Sequence, residues 1–130
     1  MGDYSDGMKK IAEIDQTKKR VYLRFEGYMN MDQARELQEA YRSAIKEVGS
    51  GYTVLSYFKD YKPVGPEIQE VISEMIQMAS DGGCRKAARV GGSSVLGPLQ
   101  LNRLSQTKAS YPHDQFETWE DAEAYLDIDD

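Results

Sequence analysis

The run Tyr52-Thr53-Val54-Leu55-Ser56-Tyr57-Phe58 is the strongest constraint on the fold, because its apolar residues fall on both faces of any strand it forms. A strand of that kind has to be covered on both sides, and a helical pattern flanks it in each direction along the chain. Upstream, NMDQARELQEAYRSAIKEVG places Ala34, Leu37, Tyr41, Ala44, Ile45 and Val48 on one stripe. Asn30 and Gln33 have the spacing of a reciprocal N-terminal cap, and Gly49 and Gly51 supply the stop. Downstream, Pro66 suits a first helical turn, and Ile68, Val71, Ile72, Met75 and Ala79 form the next buried stripe before Asp81-Gly82-Gly83 closes it.

The remaining segments extend this alternation. KKIAEID and RVYLRFEGYM flank QTK as a hairpin, with Val21, Leu23 and Phe25 on its buried face. CRKAARVGG reads as a strand whose buried candidates are Ala87, Ala88 and Val90, interrupted by three basic residues. Gly97-Pro98 repeats the Gly65-Pro66 manner of opening a helix, with Leu101 and Leu104 inside. A short strand or turn near Phe116 precedes a last helix capped by Thr118 and Asp121, docked through Trp119, Ala122, Tyr125 and Leu126. The order predicts an α/β protein with a mixed, mainly parallel sheet of four or five strands, right-handed crossovers and helices packed on it. Residues 1–7 read as a flexible N-terminus, 8–126 as one domain and 127–130 as an acidic tail.

Composition narrows the function. A formal charge of −6 disfavours broad attraction to nucleic-acid phosphates. No apolar stretch approaches the ~20 residues of a membrane span, and MGDYSDGMKK has no signal-peptide centre, so a cytoplasmic location is expected. A single cysteine, Cys84, and a single histidine, His113, disfavour Cys/His zinc sites, and no cofactor is expected.

VYLRFEGYMNMDQARELQEAYRSAI, CRKAARVGGSSVLGPLQLNRL and the ending FETWEDAEAYL, in this order, resemble the SpoIIAA-like group of STAS domains, grouped with CRAL-TRIO-like folds. The resemblance spans roughly residues 8 to 126. It implies a small regulatory domain that acts by binding a protein, a second copy of itself among the candidates. Relatives of the sigma-factor pathway carry a phosphorylatable serine where the third strand meets its helix. The corresponding positions here fall near Val64, Gly65 and Pro66, and none has a hydroxyl. Phosphate therefore cannot be added at those positions to supply its charge and acceptor oxygens.

In open α/β sheets ligands occupy the crevice beyond the carboxyl ends of the strands. That neighbourhood is expected to gather Lys59, Asp60, Tyr61, Lys62 and Gly65 from one loop and Gly91, Gly92, Ser93 and Ser94 from another, with Arg103 nearby. Two helix N-termini there could hold a carboxylate or phosphate, giving an alternative as a carrier or sensor of an anionic or lipophilic ligand. No P-loop or dinucleotide fingerprint accompanies them. Arg85, Lys86 and Arg89 read as a solvated strand edge, His113 as a surface loop residue, Cys84 as a buried thiol, and Ser73 as lying at or near the exposed side of its helix. No side chains compose a nucleophile, base and orienting group, so a non-enzymatic module is expected.

Overall fold

In the computed structural model, residues 10–27, 29–59, 64–90 and 111–128 are described. They form a five-stranded mixed sheet in the order β1-β2-β3-β4-β5. The strands are β1 (Ala12–Asp15), β2 (Arg20–Glu26), β3 (Thr53–Lys59), β4 (Lys86–Val90) and β5 (His113–Phe116). β1 and β2 are the antiparallel hairpin, and each later strand pairs in parallel with the one before it. Three helices pack on the sheet: α1 (Met31–Val48), α2 (Pro66–Asp81) and α3 (Trp119–Asp127). None of the helices among the described residues is long and apolar enough to cross a membrane.

Two-residue periodicity sorts the core into two faces. Val21, Leu23 and Phe25 of β2 join Val54 and Phe58 of β3 in a cluster closed by α1 and α2. The intervening Tyr22 and Leu55 join Ala88 and Val90 beneath Trp119, Ala122 and Leu126 of α3. β3 lies at the centre of the sheet, as its two apolar faces require.

Local chemistry explains the boundaries. The Asn30 side chain accepts the Gln33 amide at 2.8 Å while the Gln33 side chain accepts the Asn30 amide at 2.9 Å, completing the reciprocal cap of α1. Thr118 accepts the Asp121 amide at 3.1 Å at the start of α3. The carboxyl end of α3 is held by cations rising from the start of β4. Lys86 Nζ donates to the Tyr125 and Ile128 carbonyls at 3.0 and 2.8 Å and lies 4.7 Å from the centre of the Tyr125 ring. Arg85 Nη2 donates to the Leu126 carbonyl at 3.2 Å. These donors satisfy orphan carbonyls where the helix dipole is negative.

Three expectations are corrected. Arg85, Lys86 and Arg89 do not form a solvated edge: β4 is an interior strand, with Lys86 1% and Arg89 4% exposed. Ala87 and Ala88 leave room for long cationic side chains to run along the sheet to polar partners, so burial follows the stems. Ser73 is buried within α2. Asp127 belongs to α3 and pairs with Arg20, so the acidic tail does not begin there.

Gly83 turns α2 into β4 at φ +84°, and a Cβ placed there would lie 2.6 Å from Cβ of Ser50. Gly27 has φ +57° with open space around it. Gly83→Ala is therefore expected to cost about 3 kcal/mol, from conformation plus overlap, and Gly27→Ala about 1 kcal/mol from conformation alone. Urea unfolding of the two variants measures the difference.

Candidate functional site

β3 ends at Lys59 and α2 begins at Pro66, so the handover lies at the carboxyl edge of the central strand. Gly65 occupies the N-cap with extended backbone and makes no side-chain cap. Pro66 fills the first turn, where a missing N–H leaves nothing unsatisfied. Val64 is buried, and its carbonyl accepts from Gln69 Nε2 at 3.0 Å, tying the handover to the helix. Glu67 and Glu70 are exposed, with Glu67 in the first turn. No hydroxyl is present at Val64, Gly65 or Pro66.

Of the residues expected at this crevice, Gly65 is the N-cap of α2, and the Lys59 backbone pairs with Glu26 at the end of β3. The Lys59 side chain, Asp60, Tyr61, Lys62, Gly91, Gly92, Ser93, Ser94 and Arg103 lie outside the described residues. The helix expected after Gly97-Pro98 lies outside them as well.

A second polar constellation lies between the sheet and the α1–α2 layer. A cavity of about 50 Å³ is walled mainly by apolar side chains and by Tyr41, Ser56, Arg89 and Tyr111. Arg89 Nη2 lies 3.1 Å from His113 Nδ1. A guanidinium only donates, so His113 Nδ1 accepts and the ring is neutral with its proton on Nε2. Desolvation, followed by the Arg89 charge, lowers the His113 pKa from its ordinary value, while Asp114 pulls the other way. His113 is thus a β5 residue tied to a buried strand partner, not a loop histidine. Behind it, the Tyr41 and Tyr52 hydroxyls share a 2.8 Å hydrogen bond.

The buried acids of this constellation are held protonated. Burial pushes the Cys84 thiol up to about 12, more than a backbone hydrogen bond at Lys86 lowers it, so the thiolate needed for nucleophilic attack is scarce at neutral pH. Burial raises Tyr41, Tyr52 and Tyr111 as well. Among the described residues no group of three or more His, Cys, Asp or Glu side chains is arranged to hold a metal ion.

His113 gives a pH prediction. Its folded pKa is depressed, so the unfolded chain binds the proton more readily, and stability present above about 6.5 is lost as pH falls through the lower folded value. His113→Gln removes this titration. Denaturant unfolding in acid is expected to show a shallower decline for the variant than for the parent chain.

The Arg89–His113 contact was hidden in the sequence because it joins strands through a parallel register, Ala87 opposite His113 and Arg89 opposite Gln115. The available signal was the pair Ala87-Ala88, whose small side chains make room beside the cations. No family model matches this chain, and no curated protein or solved structure gives a significant match. Fold and site geometry therefore carry the functional reading.

Proposed function

We propose that this chain is a non-enzymatic regulatory module of the STAS/SpoIIAA-like type that binds a protein through the carboxyl-edge face around the α2 entrance, without the phosphoacceptor serine of such modules. The observation that carries the reading is the Gly65-Pro66 entrance: a rigid helix start at the central strand, with exposed acids and no hydroxyl on Val64, Gly65 or Pro66. Such a surface is constitutive, because no phosphate can be added at those three residues to bring charge to it. The protonated buried thiol and phenols support binding over nucleophilic chemistry. A cytoplasmic setting accords with one buried free cysteine.

Affinity capture from the source cell tests this. A partner retained by the parent chain and released by Glu67→Arg with Gly65→Arg supports the reading. A partner retained equally by the substituted chain, or stoichiometric phosphate in the handover loop, opposes it.

A second reading, binding of a small anionic ligand, is favoured by the cavity bordered by Arg89 and Tyr111. At about 50 Å³ it takes a molecule of a few heavy atoms, not an acyl chain. Native mass spectrometry of gently purified protein is expected to show a reproducible added mass under this reading, and clean protein mass opposes it.

A further inference from the structure

Polar residues interrupt the apolar sheet face beneath α1 and α2. Val54 and Phe58 of β3 and Ala87 of β4 belong to the cluster on that face, and two-residue alternation puts Ser56 and Arg89 on it with them. The parallel register makes Ser56 the strand partner of Arg89. Both border the cavity of about 50 Å³, whose wall also includes the short Ala79 and Ala87 and the phenol rings of Tyr41 and Tyr111. Short side chains at 56, 79 and 87 leave open a volume that larger ones would fill, and they leave it beside a guanidinium.

Charge and size select the occupant. Burial lowers the Arg89 pKa although Tyr111, Asp114 and Tyr125 pull it upward. Arg20, also buried, goes the opposite way, because its bonds to Asp127 and Glu123 outweigh burial. The surroundings of Arg89 therefore do not fully offset the burial of its charge, and an anion in the cavity would. A guanidinium grips a planar oxyanion through paired N–H donors, a geometry that a halide cannot match. Burial also keeps the Tyr111 hydroxyl protonated and so able to donate. At roughly 10–15 Å³ for each water-sized occupant, the cavity admits about three or four heavy atoms. The Asp114 charge, close enough to act on Arg89, disfavours a second negative charge on the ligand.

We propose that the cavity beside Ser56, Arg89 and Tyr111 binds a small planar monoanion, an oxyanion of the formate or nitrate kind, held by the Arg89 guanidinium with the Ser56 and Tyr111 hydroxyls as further donors. The inference rests on the reading of this cavity as an anion site, and adds the class of anion and the residues that select it. Sulfate, larger and doubly charged, falls outside the class.

His113 supplies the readout, because it is the single histidine of the chain and its ring protons need no further assignment in a proton NMR spectrum. Burial and then the Arg89 charge lower its pKa, against the pull of Asp114. An anion on Arg89 offsets that charge, so the His113 titration midpoint rises as the site fills. Sodium formate, chloride and sulfate are titrated separately at constant ionic strength. Formate is expected to move the His113 protons saturably and to raise the midpoint, with chloride about tenfold weaker and sulfate no different from ionic strength alone. Ser56→Val fills part of the cavity and removes a hydroxyl, and is expected to weaken formate about tenfold. Arg89→Lys keeps the charge without the planar fork, and is expected to abolish the preference for formate over chloride. The order of the anions on the parent chain decides the matter even where neither variant folds. Chloride or sulfate bound as tightly as formate would overturn the class of anion and leave the anion site standing. No saturable response to any of these salts, or formate binding indifferent to both substitutions, would overturn the site with it.

Discussion

Replacing Arg20 with alanine is expected to destabilise the fold by about 3–5 kcal/mol, the range for stripping one member from a buried ionic network. The Arg20 side chain is 2% exposed at the start of β2. Its Nε donates to Thr53 Oγ1 at 2.9 Å, one Nη to Glu123, and the other to Asp127 at 2.8 Å. Burial alone would lower its pKa, but the bonds to Asp127 and Glu123 outweigh that cost and raise it, so the cation is held by the carboxylates of α3. The same network bears on Tyr22, whose hydroxyl donates to Glu123 at 3.0 Å. Burial, then the Glu123 charge, raises the Tyr22 pKa.

Arg20→Met retains an apolar stem of similar reach and is expected to cost less than Arg20→Ala, since Glu123 keeps Lys18 at 3.4 Å and is itself 19% exposed. A double-mutant cycle of Arg20→Met with Glu123→Gln is expected to give a coupling well above the ~0.3–0.5 kcal/mol within which independent sites add. The exposed pair Arg42 and Glu39 on α1 is the control, with a coupling of about 0.5 kcal/mol or less.

Trp119→Ala is expected to cost about 3–5 kcal/mol, concentrated on α3. Trp119 is 5% exposed, stacks on Tyr22 with ring centres 5.5 Å apart, and meets Tyr57 edge-on at 6.0 Å. α3 has nine residues, too few to be helical alone, so its order depends on this docking and on the Arg20 network. The α1–α2 face uses a separate apolar cluster and is expected to survive. Amide exchange should therefore accelerate at residues 119–127 while β3 and α2 retain protection. Uniform acceleration would show that the two faces unfold as one unit. Trp119→Phe, which preserves stacking on Tyr22, is expected to lose less than half as much.

The scaffold was legible where periodicity and punctuation agreed. Apolar residues on both faces of 52–58 specify a covered central strand, and the Asn30/Gln33 and Gly65-Pro66 signals mark the two helix starts. The interior position of β4 was not, because basic residues at 85, 86 and 89 imitate an edge strand. Their burial depends on distant groups, the α3 carbonyls that receive Lys86 and the His113 ring beside Arg89, which no local window reveals. The same limit hid the link between Arg20 and Asp127, which are 107 residues apart. The helix start at Gly65 was legible, because local turn chemistry decides its conformation, and the cavity was not, because side chains from two helices and three strands build it together.

The central claim, binding through the α2 entrance, is tested most directly by amide exchange on the native complex of this chain with its captured partner. The predicted result is slowed exchange at Gly65 and at Glu67–Gln69 on binding, abolished by Glu67→Arg with Gly65→Arg. Unchanged exchange across the first turn of α2, with the partner nevertheless bound, would contradict it.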